Sequence, residues 1–379
     1  MNKTLCWCGN ADLDPFGPNY GACPSCGTLI SLRGLSVTEL QVKDDEHDFY
    51  GKRYWLDHQA EDLSFPDIHA RARHDLTERN LHWLKALLKY RLPPARVLEL
   101  GCAHGSFVAL LRQSGYEASG VEMSPWVVNF ARETFGIPVE VGPIESLDLP
   151  AGSLDVITLM DVLEHLPDPR ATMSRCLELL KPDGLLLIQT PQFREDMRHE
   201  ALAEAVSPFL EQLKADEHLY LFSQSSVAEL FRRLGVEHLC FEPAIFAHYD
   251  MFFVASRMPM TANSAASIEA GLMATSGGRL VLALLDMDSR LQENIASLQD
   301  QLQAAEADRA ARLEVIEQQG RELGKIGQLE ADIDYLKEML RVVEADRAVR
   351  LQEIRHLNDQ LQALRSHWWS RVGKAIRTL

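Results

Sequence analysis

The chain has no apolar run long enough to span a bilayer, and Met1 to Asn10 lack the apolar core of a secretory signal, so a cytoplasmic location is expected. Positive charge is scarce. There are 38 Lys and Arg against 55 Asp and Glu, a formal net charge of −17. A nucleic-acid backbone needs clustered Lys and Arg, so DNA and RNA are not expected as partners. Seven cysteines in a reducing compartment do not read as a disulfide framework. The loop Gly101-Cys-Ala-His-Gly105 lacks the G-x-G-x-x-G spacing that lets backbone approach a pyrophosphate. It also lacks the Gly-Lys-Ser/Thr ending by which a P-loop holds phosphates and Mg²⁺. Both phosphate ligands are therefore disfavoured.

What remains is a chain of 379 residues, 46% apolar, long enough for a full core and more than one domain. Residues 97–107 read Val-Leu-Glu-Leu-Gly-Cys-Ala-His-Gly-Ser-Phe, an apolar strand carrying the acid Glu99 into a tight Gly101/Gly105 turn and a helix. An α/β sheet presents bare backbone to an adenosine-like ligand in this way. About twenty residues on, the strand Ala118 to Val121 ends in Glu122, where a carboxylate can accept hydrogen bonds from ribose hydroxyls. Ser124-Pro125 then reads as N-cap and first helical residue. A third strand, Val139 to Val141, precedes Pro143-Ile144-Glu145. A fourth, Asp155 to Met160, runs into Asp161-Val-Leu-Glu-His165-Leu-Pro-Asp-Pro169. Lys181-Pro-Asp-Gly184 and Leu185 to Gln189 give a turn and a fifth strand. Ser226-Val-Ala-Glu229 reads as a capping box opening a helix that stops at Gly235, and His238 to Phe241 and Met251 to Ser256 read as closing strands.

In order and spacing these elements resemble the class I S-adenosylmethionine (SAM) dependent methyltransferases of the ubiquinone-biosynthesis and glycan type, over residues 85–257. Ala103 stands where motif I of that family has its middle glycine. The resemblance implies a seven-stranded Rossmann-like α/β sheet whose last strand is antiparallel to its neighbours. It also implies SAM as cofactor, with Glu99, Gly101, Ala103 and Gly105 at the methionine and ribose, Glu122 and Met123 at the ribose, Ile144 and Glu145 at the adenine, and Asp161 completing the site. Methyl transfer to a hydroxyl needs a base, and His165 and His218 are the catalytic candidates because imidazole titrates near neutrality. His165 has an equally good alternative, a backbone hydrogen bond that holds its loop. The amphipathic insertion Gln192 to Leu213 sits where lids and acceptor pockets occur.

Cys6-x-Cys8 and Cys23-x-x-Cys26, each followed by a glycine, read as a four-thiolate structural zinc site within an element spanning residues 1–35; reduced free thiols are the alternative. The first pair has one intervening residue where a knuckle usually has two. Several sugar and glycan methyltransferases have a similar ribbon followed by an aromatic element like Tyr50-Gly-Lys-Arg-Tyr54-Trp55, here in a connecting segment at residues 36–84.

Residues 258–277, rich in Ser, Ala, Thr and Gly, read as a linker. Heptads follow over 278–366: Leu291, Ile295, Leu298 and Leu302, then Ile333, Leu336, Leu340 and Val343, then Ile354, Leu357, Leu361 and Leu364. Residues 306–316 recur at 344–354, and Gly320, Gly324 and Gly327 between the repeats suggest a hinge. The tail resembles coiled coils attached to methyltransferases and glycosyltransferases of bacterial surface-polysaccharide clusters. It is expected to self-associate or to bind a helical partner. The basic, tryptophan-containing end at 367–379 suggests peripheral contact with the inner membrane face. The whole reads as a methyltransferase acting on a saccharide or surface-glycan hydroxyl. Alternatives are a soluble small-molecule or nucleotide-sugar acceptor, and a catalytically silent scaffold that recruits glycosyltransferases. A cut near residue 260 is expected to leave the SAM-binding domain whole.

Overall fold

The computed structural model describes residues 5–33, 42–48, 50–58 and 66–376, with side chains described as far as Trp368. Parts of the 36–84 connecting segment and the last three residues of the tail thus lie outside the described residues. The chain divides into two units, 1–289 and 290–379.

The first unit opens with three short strands, β1 (Asp14–Phe16), β2 (Tyr20–Ala22) and β3 (Leu29–Ser31). Two helices, α1 (Ile68–Asp75) and α2 (Leu81–Tyr90), lead to the main sheet. That sheet is built from β4 (Arg96–Leu100), β5 (Glu117–Glu122), β6 (Val139–Val141), β7 (Leu154–Met160) and β8 (Leu180–Pro191). After β9 (Tyr220–Leu221), which belongs to the small sheet, β10 (His238–Glu242) and β11 (Asp250–Ser256) close it. The order is β10-β11-β8-β7-β4-β5-β6. The strands β4 to β8 are parallel, and β11 is antiparallel to both its neighbours. This is the seven-stranded methyltransferase sheet that the sequence implies.

Parallel strands covered on both faces must be apolar throughout, and all seven residues of β7 are buried. Alternate residues feed two cores. Leu98, Leu100, Ile157, Leu159, Leu186 and Ile188 face one, and Val97, Val156, Leu185, Leu187 and Val254 the other. Helices α3 (Ser106–Gln113), α4 (Pro125–Phe135) and α5 (Pro169–Leu179) fill the crossovers. As expected, Ser124 caps α4 by accepting from Val127 N at 3.3 Å, with Pro125 in its first turn.

The insertion after β8 carries α6 (His199–Glu204) and docks on the ribbon. Phe193, Met197 and Phe209 share a core with Phe16, Tyr20, Leu29 and Leu221. β3 pairs with β9, Ser31 Oγ donates to Ala215 O at 2.6 Å, and Tyr20 Oη donates to His218 O at 3.0 Å.

Three expectations differ from what is found. Helix α7 (Gln224–Arg233) is capped by Ser223 and Ser226, not by Ser226 and Glu229, because β9 ends at Leu221 and the extended residue available as cap is Ser223. Glu229 instead pairs with Arg232 and Arg233. The 258–277 segment holds α8 (Ala265–Met273), whose Leu272 is fully buried. Val281 and Leu285, at the start of α9 (Ser276–Ile376), bury in the same core, and Lys85 reaches Asp288 at 2.5 Å. Small residues around one leucine gave this packing helix the composition of a linker. Finally, α9 runs unbroken through Gly320, Gly324 and Gly327, where the expected hinge is absent. A glycine in an exposed helix costs about 1 kcal/mol but creates no clash, and helix formers flank all three.

The second unit is the remainder of α9, residues 290–376, with the heptad leucines and isoleucines exposed. No helix among the described residues is long and apolar enough to cross a membrane. The place to separate the two units is therefore near residue 289, not 260. A chain ending at Ser289 should keep the melting temperature of the first unit. One ending near 260 removes Leu272, Val281 and Leu285 from the core and should melt well below it, since each buried leucine lost costs about 2–5 kcal/mol. Thermal melts of the two truncations check this.

Candidate functional site

At the carboxyl end of β4 the chain turns at Gly101 with φ +69°, and a Cβ there would meet Val162 Cγ2 at 2.6 Å. Ala103 follows at φ +47°, a left-handed backbone that glycine would adopt without strain. The turn is tied to β5. Gly101 N and Cys102 N donate to Val121 O at 2.8 and 3.0 Å, and Ala103 N donates to Glu122 Oε2 at 3.1 Å. Glu122 is 6% exposed and also accepts from Met123 N (2.7 Å) and Ser124 N (3.2 Å), both at Oε1. Burial raises its pKa while the three amides pull it down. A carboxylate has about four lone-pair positions, so roughly one remains for a hydroxyl at full strength.

Beside it lies a cavity of about 450 Å³, lined among others by Tyr50, Gly101, Glu122, Met123, Ile144, Glu145, Asp161 and His165. Glu145 is fixed by the Thr172 hydroxyl at 2.5 Å. Asp161 is left-handed at φ +58°. Its N donates to Gln189 O at 3.0 Å, and its Oδ1 accepts from Gln189 Nε2 at 3.1 Å.

A second cleft of about 230 Å³ shares Tyr54, Trp55, Gly101, Asp161 and His165 with the first and adds Glu99, Ala103 and His218. Glu99 is buried, and its Oε2 has no partner among the described residues; burial pushes its pKa well above the usual carboxylate range. Of the expected cofactor residues, Gly105 alone lines neither space. It caps α3 at φ +80°, and a side chain there would strike Ile137 and Ala131, so its job is close packing of helix on sheet.

His165 and His218 are brought together, ring centroids 4.9 Å apart. His165 Nδ1 lies 2.8 Å from Glu217 O, and His218 Nδ1 lies 2.7 Å from Gln212 O. A carbonyl only accepts, so each Nδ1 carries the proton and each neutral ring keeps its Nε2 lone pair. Burial pushes both pKa values below the ordinary imidazole range, most strongly at His218, where His165 adds to the shift. The loop-holding hydrogen bond and a free basic nitrogen therefore coexist in His165.

Several site residues escaped the sequence reading. Tyr54 and Trp55 wall both spaces. Asp75 pairs with His104 at 2.9 Å and Arg71 at 3.4 Å, and Arg79 reaches Asp161 at 3.6 Å. The four-residue steps Arg71, Asp75, Arg79 set these side chains on one helical face, a signal that was present in the sequence. Asp250, buried beside Asp161, has no such signal; burial and that neighbour push its carboxyl up to about 8.

The four N-terminal cysteines converge. Cys6 and Cys26 Sγ are 3.5 Å apart, Cys8 and Cys23 Sγ 3.6 Å, and all four sulfurs lie within 4.8 Å of one another. Gly9 and Gly27 turn through φ +94° and +72° beside them. Four clustered thiols at this spacing are a donor set that could hold a zinc ion, and the single residue between Cys6 and Cys8 does not prevent it.

Residues 72–240 match the family described as a methyltransferase domain. This part of the chain is a methyltransferase domain. Over 123 residues the chain is 33% identical to the ubiquinone biosynthesis O-methyltransferase of Xanthomonas campestris pv. campestris, covering 31% of this chain and 51% of that protein. The protein of the same name from Bordetella avium is 30% identical over 169 residues, 43% of this chain and 66% of that one. The chain thus spans about half the length of the Xanthomonas relative. Among solved structures, phosphoethanolamine N-methyltransferase 2 of Haemonchus contortus, in complex with SAM, is 16% identical over 54% of this chain and 60% of that one, with a TM-score of 0.42.

The methyltransferase domain takes SAM as its cofactor, and the residues fit that molecule. The orphaned Oε2 of Glu99 suits an ammonium group, Glu122 a ribose hydroxyl, and Gly101 leaves the space a side chain would fill.

Three outcomes follow from this geometry. Hydrogen bonds to a charged group are worth about 1.5–3 kcal/mol, so Glu122→Gln should weaken SAM about tenfold to a hundredfold in calorimetry. Cys23→Ser should lower zinc content and melting temperature together, read by elemental analysis and thermal melts, and leave SAM affinity near wild type. Asp250 is protonated and stabilising below the ordinary carboxyl range, and that contribution is lost as pH rises from there through about 8. Asp250→Asn, neutral throughout, should therefore gain on the wild type in melting temperature as pH rises from about 5 to about 9.

Proposed function

We propose that the protein is a SAM-dependent O-methyltransferase whose acceptor is a hydroxyl of a saccharide or surface glycan. The observation that carries this reading is the pair of neutral imidazoles, His165 and His218, set where the cofactor cavity meets the second cleft, each with Nδ1 committed to a carbonyl and Nε2 left with its lone pair. A thiol ionises near neutrality and a neutral amine attacks through its own lone pair, whereas a hydroxyl is too weak an acid to lose its proton without a base. SAM supplies the methyl group on a sulfonium, already a good leaving group, so the chain's own work is alignment and proton handling. Tyr54 and Trp55 offer flat apolar faces at the junction, while Arg71, Asp75 and Arg79 line the cleft with charge and Asp250 adds a hydrogen-bonding carboxyl. That mixture suits a polyhydroxylated ring. A second reading, a soluble small-molecule acceptor, is favoured by the likeness to the ubiquinone biosynthesis O-methyltransferases of Xanthomonas and Bordetella.

The exposed heptad seam of α9 supports a coiled coil with a second copy or a partner helix, which would hold the enzyme in an assembly. The 367–379 end would add contact with anionic lipid; of its side chains, His367 and Trp368 are among those described.

Methyl transfer from labelled SAM to a panel of saccharides and phenols tests the reading. On the preferred hydroxyl acceptor, His165→Ala and His218→Ala should each lower kcat about 10²-fold or more with SAM affinity little changed. Full turnover in both variants, or methylation of amines alone, would overturn it.

A further inference from the structure

The apolar seam of α9 alternates steps of four and three from Leu291 to Ile326, takes one extra step of three to Leu329, and resumes the alternation as far as Leu364. The two halves are copies. Each seam site from Leu291 to Ile326 recurs in order from Leu329 to Leu364, and in both halves the apolar series is broken at the same two places, by Arg309 and Arg312 and then by Arg347 and Arg350. Gln319, matched by Leu357, is the one other polar site between Leu291 and Leu364. An extra step of three overwinds a coil locally. Gly324 and Gly327 stand beside it with nothing near their Cα atoms, so bare backbone gives two helices room to tighten there. Leu298 and Leu336 are each 63% exposed, and a single helix cannot bury such a stripe.

We infer that the seam is covered by a second copy of this chain, in a two-stranded, parallel, in-register coiled coil. A flat apolar partner would bury four arginines against hydrocarbon. A partner helix must instead carry polar layers at the same two places and the same extra step of three. A second copy in register meets both conditions at every layer. With Ile295, Ile316, Ile333 and Ile354 at a positions and leucines such as Leu298 and Leu336 at d, the seam favours two strands. In a two-stranded coil the arginines also have the shortest way out to water. Arg312 already reaches Asp308 of its own helix at 2.8 Å, and Arg350 reaches Asp346 at 2.8 Å. Parallel pairing sets Asp308 of the second copy, at g, next to Arg309 at a, and repeats this at Asp346 and Arg347. It also sets Asp332, at g, against Lys337 of the second copy, at e, once on each side of the coil. Antiparallel pairing that brings the arginine layers together sets Asp308 beside Glu353 of the other helix and leaves Lys337 opposite Gly320. Charge therefore selects the parallel arrangement. The inference deepens the assembly reading of α9 and does not depend on the acceptor.

The test uses the full, zinc-loaded chain. Light scattering should give twice the chain mass at micromolar concentration, and Leu298→Asp with Leu336→Asp should weaken the dimer at least tenfold while SAM affinity by calorimetry stays unchanged. Facing d sites in a parallel, in-register pair lie within disulfide reach, so Leu298→Cys should form a covalent dimer on mild oxidation under conditions that leave the wild type uncrosslinked. A wild type of single-chain mass overturns the inference and leaves the assembly reading to a different helix. A threefold mass overturns the two-stranded coil. A covalent dimer that appears only when Leu361→Cys is added to Leu298→Cys overturns the parallel orientation, because Leu361 faces Leu298 in the antiparallel pair.

Discussion

The turn at Asp161 is the constraint on which the site depends. At the end of β7 the chain must leave the sheet, and it does so through a left-handed aspartate held on both sides by Gln189, through its main chain and its side-chain amide. Gln189 is itself fixed, accepting from Trp83 Nε1 at 2.9 Å. An aspartate in this backbone region carries strain, and such strain persists where neighbours over-determine it. The result is that residues 161–165 run between the two cavities. Asp161 and His165 face both, and Glu164 is pressed into the interior.

The second half of the acceptor end comes from far away in sequence. His218 precedes β9, and β9 is held by β3 of the cysteine ribbon. Ser31 and Tyr20 bond to the backbone at Ala215 and His218. The ribbon is thus more than an appendage: one of its hydrogen bonds ends on the backbone carbonyl of the residue that carries the second imidazole. A ribbon of three three-residue strands has little apolar area of its own, so a metal closing its four thiols would stiffen the platform that carries His218.

The cofactor side rests on shorter-range logic. Glu122 satisfies three backbone amides at the β5 turn and the β4 loop at once, so one carboxylate both shapes the cradle and offers the remaining acceptor position. Ala103 shows the limit of reading this loop by pattern. The backbone there still has the glycine conformation although the side chain has changed.

Residues whose roles follow from local chain geometry were legible in the sequence. The strands β4 to β8, the cap at Ser124, the turn at Gly101 and the acid at Glu122 each follow from period, turn chemistry or a fixed offset, and these set the fold and the cofactor side. Local composition misled where small residues hid a packing face, as at Leu272, and where either of two serine caps would serve, as at Ser223. The acceptor side was decided by tertiary structure alone. That His218 meets Glu164 and His165, that Asp250 meets Asp161, and that Asp75 meets His104 are contacts between segments far apart in the chain. No periodicity or motif encodes such meetings, because they depend on how the sheet, the ribbon and the insertion pack against one another.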